Sequence, residues 1–310
     1  MASHSISVVI PAYNCAEMLP NAVHSVYAQT IPAAQVIVVD DGSTDRTAEV
    51  IKELAASLPS SFTYLRKPNG GDASARNSGV SAATSEFVAF LDADDTWLPR
   101  KLEMQLPLFD TLPSPSLTFT ALNWLSSNGR DLVRVEDWQP TPEGALRRLM
   151  VGCCVTPSTV LVRRDTLVKA GPFDESLSVG SDWDMWLRLA ATGHHFGYLP
   201  EPMTDYLWHT NNISRDQRKT ADVAITIFTR LFRSGSLPPA IQSEEYRCLA
   251  RWHLNRACYR LDAGEGAKAR RSLAMAARIR PMSFRLGWLL LGARSVTAAR
   301  NSARKAIPSG

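Results

Sequence analysis

The sequence predicts an α/β protein with a mainly parallel sheet flanked by helices, followed by a C-terminal helical extension. Two observations lead to this prediction. Short, almost continuously apolar runs alternate with segments of helical periodicity over residues 6–91, and strands of this kind separated by helices are typical of a parallel sheet covered on both faces. Residues 216–310 show helical spacing throughout, so the C-terminal region is expected to be helical.

The alternation of strand and helix begins near the N-terminus. Residues 6–10 form a β-branched run that predicts a strand, and apolar residues at helical spacing predict a helix at 20–29. The same signals recur further along, with strands predicted at 36–39, 62–66 and 87–91 and helices at 47–58 and 72–83. Each strand ends in polar or turn-forming residues, and ligands of parallel sheets bind at the carboxyl ends of the strands. We therefore expect a binding site along that edge.

The pattern becomes less regular after residue 116. The elements predicted there are strands at 117–122, 132–138 and 158–163, a turn at 126–129 and a helix at 143–150. Another helix begins at Gly180, and Trp183, Trp186 and Leu187 share one face that is expected to pack on the core. The extension is predicted to contain helices at 221–232, 243–261, 266–279 and 284–291.

Composition limits the class of protein. The chain has 310 residues, 45% of them hydrophobic, which is enough for one large or two smaller domains. Its five cysteines are odd in number and lack Cys-x-x-Cys spacing, which argues against a disulfide framework and a zinc site. The start does not resemble a secretory signal, and no span reaches the ~18 uncharged apolar residues of a transmembrane helix. We expect a cytoplasmic protein.

Charge is distributed unevenly along the chain. Residues 1–214 carry 15 Lys and Arg against 24 Asp and Glu, whereas residues 215–310 carry 19 against 6. Two regions of opposite charge indicate two roles, an acidic catalytic or cation-binding part and a basic part that faces an anionic partner. We therefore predict a catalytic domain at 1–215 and a basic α-helical extension at 216–310.

The densest negative charge follows the strand predicted at 87–91. Asp92, Asp94 and Asp95 lie within four residues, and carboxylates this close repel one another and are costly to bury without compensation. A hard divalent cation would compensate them. Alternatively, the cluster caps a following helix. The stretch alone leaves both interpretations open.

Seven short segments identify a family resemblance: VVIPAYN at 8–14, VDDGSTD at 39–45, NGG at 69–71, ARNSG at 75–79, FLDADD at 90–95, GSDWD at 180–184 and YLWH at 206–209. Together they closely resemble the family 2 glycosyltransferases, inverting enzymes with the GT-A fold. The resemblance covers roughly residues 5–215. The first strand-to-helix turn lacks Gly-x-Gly-x-x-Gly and the chain lacks a Walker A lysine, which argues against a Rossmann or P-loop nucleotide site.

The resemblance implies a nucleotide-sugar site at the strand ends. Pro11, Tyr13 and Asp40 would line the pocket of the base, with Asp40 accepting a hydrogen bond from a uracil or similar ring. Asp41 and Arg76 would lie near the ribose and the phosphates.

The resemblance also implies a metal site within the acidic cluster. Asp92 would contact the ribose, and Asp94 would hold Mg²⁺ or Mn²⁺ against the diphosphate. His209 matches a late histidine that approaches the metal or the diphosphate. Asp95 is then the residue left to cap the following helix.

Asp182 is the candidate catalytic base. It resembles the Asp of a Glu-Asp pair in the family, and a base is needed to take the proton of the acceptor hydroxyl. Ser181 replaces the Glu, so Asp184 stays open as the alternative, although helical geometry favours Asp182.

The expected function is transfer of a sugar, with inversion, from a nucleotide-diphospho-sugar to an acceptor hydroxyl by a metal-dependent, hexosyltransferase-like enzyme. A UDP-sugar is the expected donor, a saccharide or lipid-linked molecule the acceptor, and polysaccharide or glycoconjugate biosynthesis the setting. The alternative is a non-catalytic nucleotide-sugar-binding or interaction protein that retains the fold, which Ser181 favours.

The basic extension also leaves two interpretations open. It packs on the catalytic domain with a solvated arginine face, or it docks on the inner face of the cell membrane. Nucleic-acid binding is disfavoured, because the arginines are not interleaved with exposed aromatic residues. The residues that would contact the membrane are Phe284, Leu286, Trp288, Leu289, Leu290 and Leu291, with Arg271, Arg278, Arg280, Arg285 and Arg294.

Overall fold

The computed structural model describes residues 4–111, 115–209, 212 and 215–279. The chain divides into two compact units, Met1–Asn212 and Ile213–Gly310, and each is described by itself. The first unit contains the sheet. The second consists of helices and turns over its described residues.

The described part of the first unit forms nine strands and seven α-helices. The strands are β1 (Ile6–Ala12), β2 (Gln35–Asp40), β3 (Phe62–Arg66), β4 (Phe87–Phe90), β5 (Thr96–Trp97), β6 (Pro115–Ser126), β7 (Gly129–Val133), β8 (Leu161–Arg163) and β9 (His195–Leu207). The helices are α1 (Leu19–Tyr27), α2 (Thr47–Ser57), α3 (Asp72–Ala82), α4 (Lys101–Gln105), α5 (Pro142–Leu149), α6 (Arg164–Ala170) and α7 (Ser181–Ala191). The alternation predicted over residues 6–91 is confirmed.

The strands form one mixed sheet in the order β3-β2-β1-β4-β8-β6-β9-β5, and β7 pairs with β6. Strands β1 to β4 are mutually parallel, as are β6 and β9. Strand β8 is antiparallel to both of its neighbours, β4 and β6, and so joins two parallel groups. The prediction of a mainly parallel sheet flanked by helices is confirmed.

The register aligns the carboxyl ends of these strands along one edge. Ala12 of β1 pairs with Asp40 of β2, and Asp40 pairs with Arg66 of β3. Because β8 reverses direction between β4 and β6, strands β6 and β9 run the same way as β4. The segments that carry Asp92, after β4, and His209, after β9, therefore leave the sheet at the same edge.

The core is densest around the first parallel strands. Residues of β4 are buried on both faces, as are those of β1 apart from one half-buried position near its end, which is what continuous apolar runs predict. Helix α3 packs very closely on β1, because a Cβ added at Gly79 would lie 2.2 Å from Cγ1 of Val9. Glycine at position 79 is thus required by the distance between helix and sheet.

Two strands predicted in the second half of the sheet need correction. The strand predicted at 132–138 is wrong beyond Val133, where β7 ends. The backbone N–H of Val135 donates to the hydroxyl of Tyr198 instead of to a neighbouring strand. The strand predicted at 158–163 starts late, because Pro157–Thr159 form a 3-10 helix before β8.

Sequence reasoning missed β9, the longest strand at 13 residues. It contains Gly197, Pro200 and Pro202, which interrupt a strand pattern. The pairing of β9 with β6 shifts register between Thr120 and Ala121 and again at the next residue, so an irregularity in the ladder accommodates the prolines.

The second unit contains helices α8 (Gln217–Arg233), α9 (Pro239–Gln242), α10 (Glu245–Asp262) and α11 (Gly266–Ile279). Helices predicted at 221–232, 243–261 and 266–279 are confirmed, and the helix predicted at 284–291 lies outside the described residues. Within the described part of the chain, no helix is both long enough and apolar enough to cross a membrane.

A polar network connects three helices of the second unit. Asp222 of α8 accepts hydrogen bonds from Arg256 and Arg260 of α10 at 3.1 Å. Both arginines also donate to Oγ of Ser272 in α11. The two arginines are mostly buried, so some of the basic residues in this region stabilise the helices rather than face solvent.

The close contact of α3 with β1 generates a stability prediction. Gly79→Ala improves intrinsic helix propensity but forces its methyl group into Val9, so we expect a net destabilisation of about 1–3 kcal/mol. Urea unfolding measures the effect. Gly152→Ala is the control, because no atom lies within 4 Å of a Cβ added there. Equal stability of the two variants would contradict the close packing.

Candidate functional site

Asp40 ends β2 and is fully buried. Its Oδ1 accepts from the backbone N–H of Ser43 at 2.8 Å, and its Oδ2 accepts from the hydroxyl of Tyr64 at 3.1 Å. Nε of Arg66 lies 3.4 Å from Oδ2. The carboxylate therefore shapes the turn after β2 and holds it to β3, and its proposed hydrogen bond to a base stays a prediction.

Asp41 holds the loop that contains the NGG segment. Its Oδ1 accepts from Nζ of Lys67 at 2.7 Å, and its two oxygens accept from the backbone N–H groups of Gly70 and Gly71 at 2.7–3.1 Å. Asp41 is almost completely buried. This carboxylate orders the loop next to the sheet edge, and sequence reasoning missed Lys67 as its cation.

Pro11 and Tyr13 lie at the end of β1. The side chain of Tyr13 is 51% exposed at this edge, so its ring is available to a ligand. The next residue, Asn14, adopts a positive φ of 49°, and its Oδ1 accepts from the backbone N–H groups of Thr44 and Asp45. The turns after β1 and β2 are thereby joined behind Tyr13.

Arg76 of α3 is buried among carboxylates. It pairs with Asp72 one helical turn earlier, and its Nη2 donates to Oδ1 of Asp92 at 2.6 Å. Burial disfavours the charged form, but the negative charges of Asp72, Asp92 and Asp182 outweigh it and raise the pKa of Arg76. Within the described residues its Nε has no hydrogen-bond partner. Arg76 is thus a permanent cation between Asp92 and the start of α7.

Asp94 and His209 meet at the sheet edge. Nε2 of His209 lies 2.9 Å from Oδ2 of Asp94, and both side chains are one quarter exposed. Burial and the charge of Asp92 raise the pKa of Asp94, while His209 opposes the shift. The segment after β9 is closed by Asn212, which accepts from the backbone N–H of His209 and donates to the carbonyl of Leu207.

This pair has the donor atoms that Mg²⁺ or Mn²⁺ uses. Across the described ranges no group of three or more His, Cys, Asp or Glu side chains is arranged for a metal ion. Such ions are commonly held by one or two protein groups together with substrate phosphates and water. A carboxylate oxygen and an imidazole nitrogen that converge in a partly open site fit that arrangement.

Asp95 does not cap the following helix, and that expectation is wrong. Its Oδ2 accepts from Oγ of Ser158 at 2.6 Å, and its Oδ1 accepts from the backbone N–H of Leu207 at 3.0 Å. The N-cap of α4 is Arg100, which makes no side-chain capping bond within the described structure. A carboxylate in a polar run resembles a cap, but here it reaches two segments that are distant in sequence.

Asp182 and Asp184 lie in the first turn of α7, where the helix dipole favours negative charge. Asp184 pairs with Nε of Arg188 at 2.8 Å, and Arg188 also donates to the carbonyl of Ala170 at the end of α6 and to that of Pro172 in the following loop. Burial raises the pKa of Asp182, although Arg76 opposes the shift. Asp184 is thus engaged in an ion pair, and the role of Asp182 as the base stays a prediction.

Sequence reasoning did not anticipate two contacts, one made by Cys153 and one by Asn77. Sγ of Cys153 lies 3.7 Å from Oδ2 of Asp182. Asn77 of α3 donates to the carbonyl of Phe173 and accepts from its backbone N–H at 2.8–3.0 Å. Asn77 lies next to Arg76 within the ARNSG segment. In the same turn of α3, Arg76 therefore pairs with Asp92, and Asn77 holds the loop that leads into α7.

Solved structures with this fold show what the architecture resembles. The crystal structure of S. aureus TarS, residues 1–349 in complex with UDP-GlcNAc, superposes with a TM-score of 0.68 over 89% of this chain and 81% of that chain, at 19% identity. The mannosyltransferase PcManGT from Pyrobaculum calidifontis, in complex with GDP-Man and Mn²⁺, has a TM-score of 0.65 over 97% and 82% of the two chains, at 21% identity. These likenesses establish the GT-A fold.

Sequence comparisons identify the family. A putative teichuronic acid biosynthesis glycosyltransferase of Bacillus subtilis is 29% identical over 74% of this chain and 88% of its own length. An uncharacterized glycosyltransferase of Nostoc sp. is 34% identical over 58% of this chain, and the match spans 56% of that relative. The family model "Glycosyl transferase family 2" matches residues 7–165. The predicted family is confirmed, and the chain belongs to glycosyl transferase family 2.

Proposed function

We propose that the chain transfers a hexose-like sugar from a nucleotide-diphospho-sugar to an acceptor hydroxyl with inversion at the anomeric carbon. The observation that carries the proposal is the meeting of Asp94 with His209 at 2.9 Å, at the edge where Arg76 pairs with Asp92. Arg76 and Asp92 in turn lie within electrostatic range of Asp182.

On the donor side, we propose the roles that the family resemblance implies. Tyr13, with Pro11 and Asp40, would receive the base. Asp92 would contact the ribose, and Arg76 and the loop held by Asp41 would lie towards the phosphates. Asp94 and His209 would hold Mg²⁺ or Mn²⁺, which neutralises charge on the leaving diphosphate when bound.

On the acceptor side, Asp182 accepts the proton of the attacking hydroxyl. An inverting displacement needs a base on the side opposite the leaving group. Burial raises the pKa of Asp182, and a carboxylate with a raised pKa accepts a proton more readily than an ordinary one. Asp184 is not required for this step, because Arg188 holds it in an ion pair.

The donor and the setting are inferred from the relatives. UDP-GlcNAc is bound by TarS and GDP-Man by the mannosyltransferase, and we propose a UDP-sugar for this chain. Relatives are named for teichuronic acid and amylovoran biosynthesis, which supports a saccharide or lipid-linked acceptor in polysaccharide biosynthesis. The rival is a non-catalytic nucleotide-sugar-binding protein, favoured by Ser181 in place of Glu.

We also propose that the basic extension contacts the inner face of the cell membrane. Helix α11 exposes Lys268, Arg270, Arg271 and Arg278 and contains no carboxylate. Each basic residue near an anionic membrane surface contributes about 1 kcal/mol to binding. The apolar residues predicted to enter the membrane, at 284–291, lie outside the described residues, so the support for docking is the charge of α11.

The first test of the function concerns the base. Asp182→Asn cannot accept the proton, so we expect turnover to fall about 10²–10⁴-fold while nucleotide binding is kept. Donor consumption with a panel of UDP-, GDP- and dTDP-sugars and Mn²⁺ measures turnover, and thermal shift measures binding. Asp184→Asn is the matched control. We expect it to lower the melting temperature, because it breaks the ion pair with Arg188, and to leave the turnover rate close to that of the wild-type chain.

Two outcomes would contradict this assignment. Wild-type turnover by Asp182→Asn would remove Asp182 as the base. If the wild-type chain binds nucleotide with Mn²⁺ but consumes no donor of the panel, the non-catalytic alternative replaces the enzyme.

The second test concerns the metal pair. Ligand binding raises stability by mass action, so Mn²⁺ added with UDP should raise the melting temperature of the wild-type chain above that with UDP alone. Asp94→Ala and His209→Ala should lose this extra increase because each removes a ligand. His24→Ala, at an exposed position of α1, should keep it. The assignment would be contradicted if His24→Ala lost the extra increase in melting temperature, or if Asp94→Ala and His209→Ala both kept it.

The third test concerns the membrane. Reversing two charges with Arg270→Glu and Arg271→Glu should lower partitioning onto anionic vesicles by at least about 30-fold, measured by co-sedimentation. Arg46→Glu with Lys52→Glu, at exposed positions near α2, makes the same change in net charge and should have a much smaller effect. If both double variants lose the same amount of partitioning, the attraction depends only on net charge. If Arg270→Glu with Arg271→Glu loses none, α11 is not the contact with the membrane.

A further inference from the structure

The acidic cluster contains a carboxylate that the proposed reaction does not use. We propose that Asp95 is a positioning residue, which holds Asp94 and His209 at the distance needed to share one divalent cation. The inference takes the divalent cation from the proposed function. The positioning role itself is argued from the hydrogen bonds of Asp95.

Asp95 connects two segments that the sheet does not pair. It is 1% exposed. Its Oδ2 accepts from Oγ of Ser158 at 2.6 Å, and its Oδ1 accepts from the backbone N–H of Leu207 at 3.0 Å. Both oxygens are therefore committed to protein donors.

Ser158 is the second part of this connection. It is fully buried in the 3-10 helix before β8. Its Oγ also accepts from the backbone N–H of Asp92 at 3.0 Å, and its carbonyl oxygen accepts from Nε1 of Trp97 at 2.7 Å and Oγ1 of Thr204 at 3.1 Å. One serine thus contacts both ends of the acidic turn and also β9.

The connection matters because strand pairing alone does not place the metal pair. Strand β5 pairs with β9 only at Thr96 and Trp97, opposite Asp205 and Thr204, and both candidate ligands lie beyond this short ladder. Asp94 is one residue before Asp95, and His209 is two residues after Leu207. A bond from Asp95 to the N–H of Leu207 therefore fixes the two backbones at the point where the ligands leave them.

A positioning role makes a prediction that a general folding role does not. Removing the connection should weaken binding that depends on the metal and leave binding of the nucleotide alone unchanged, because the residues proposed to bind the base lie on other strands. Groups that orient metal ligands typically contribute 10–100-fold to metal affinity.

The experiment measures the affinity of the full chain for UDP with and without Mn²⁺, by calorimetry. Asp95→Ala should lose about 10–100-fold in affinity for UDP with Mn²⁺ and keep its affinity for UDP alone. Asp95→Asn should rescue most of the loss, since its amide can accept from Leu207 and donate to Ser158. Asp165→Asn, in an exposed ion pair with Lys169, is the control and should bind as the wild type does.

Hydrogen exchange tests the connection without any ligand. The amide of Leu207 should exchange faster in Asp95→Ala than in the wild-type chain and return towards the wild-type rate in Asp95→Asn. If exchange at Leu207 does not change in Asp95→Ala, the connection is absent and the inference is overturned. A wild-type chain in which Mn²⁺ adds nothing to UDP binding contradicts the proposed function instead.

A second variant covers the case in which Asp95→Ala does not fold. Ser158→Ala removes both Oγ contacts, with Asp95 and with the backbone N–H of Asp92, but keeps the bond of Asp95 to Leu207, so it should give an intermediate loss of the Mn²⁺-dependent affinity. Wild-type affinity in Ser158→Ala, or an equal loss in Asp95→Asn and Asp95→Ala, would overturn the inference, because hydrogen bonding through Asp95 would then not set the site.

Discussion

The structure of the site depends on how negative charge at one sheet edge is compensated. Asp72, Asp92 and Asp182 all act on the single guanidinium of Arg76, and their charges raise its pKa although burial opposes this. A buried carboxylate without a partner would be protonated or would destabilise the fold. Arg76 therefore compensates part of the negative charge at this edge through its ion pair with Asp92.

The three carboxylates of the FLDADD segment have different roles because they point to different neighbours. Asp92 pairs with Arg76 on α3, Asp94 meets His209 after β9, and Asp95 bonds to Ser158 and Leu207. Their chemistry is identical, so only tertiary contacts distinguish them. The side chain of Asp94 is one quarter exposed, whereas Asp95 is almost completely buried, so Asp94 is the one of these two that can present an oxygen to a metal ion.

Most of the parallel half of the fold could be predicted from the sequence, since continuous apolar runs and strand-end polar residues are local signals. The metal pair could be placed only through a resemblance, because Asp94 and His209 lie 115 residues apart and no local pattern joins them. Strand β9 was missed because its prolines interrupt the strand pattern. The partners of Asp41 and Asp95 were missed because Lys67 and Ser158 belong to no distinctive sequence pattern. Long-range hydrogen bonds of that kind leave no periodic trace in a sequence.

The position of Arg76 between Asp92 and Asp182 also bears on the proposed reaction. In the proposed reaction, Asp182 would lose one negative charge when it accepts the proton of the acceptor, and the leaving diphosphate would gain one. Negative charge would therefore move from the acceptor side to the donor side, while the total is unchanged. A fixed cation between the two sides interacts with the charge before and after transfer, and little reorganisation of the protein is needed at the moment of reaction.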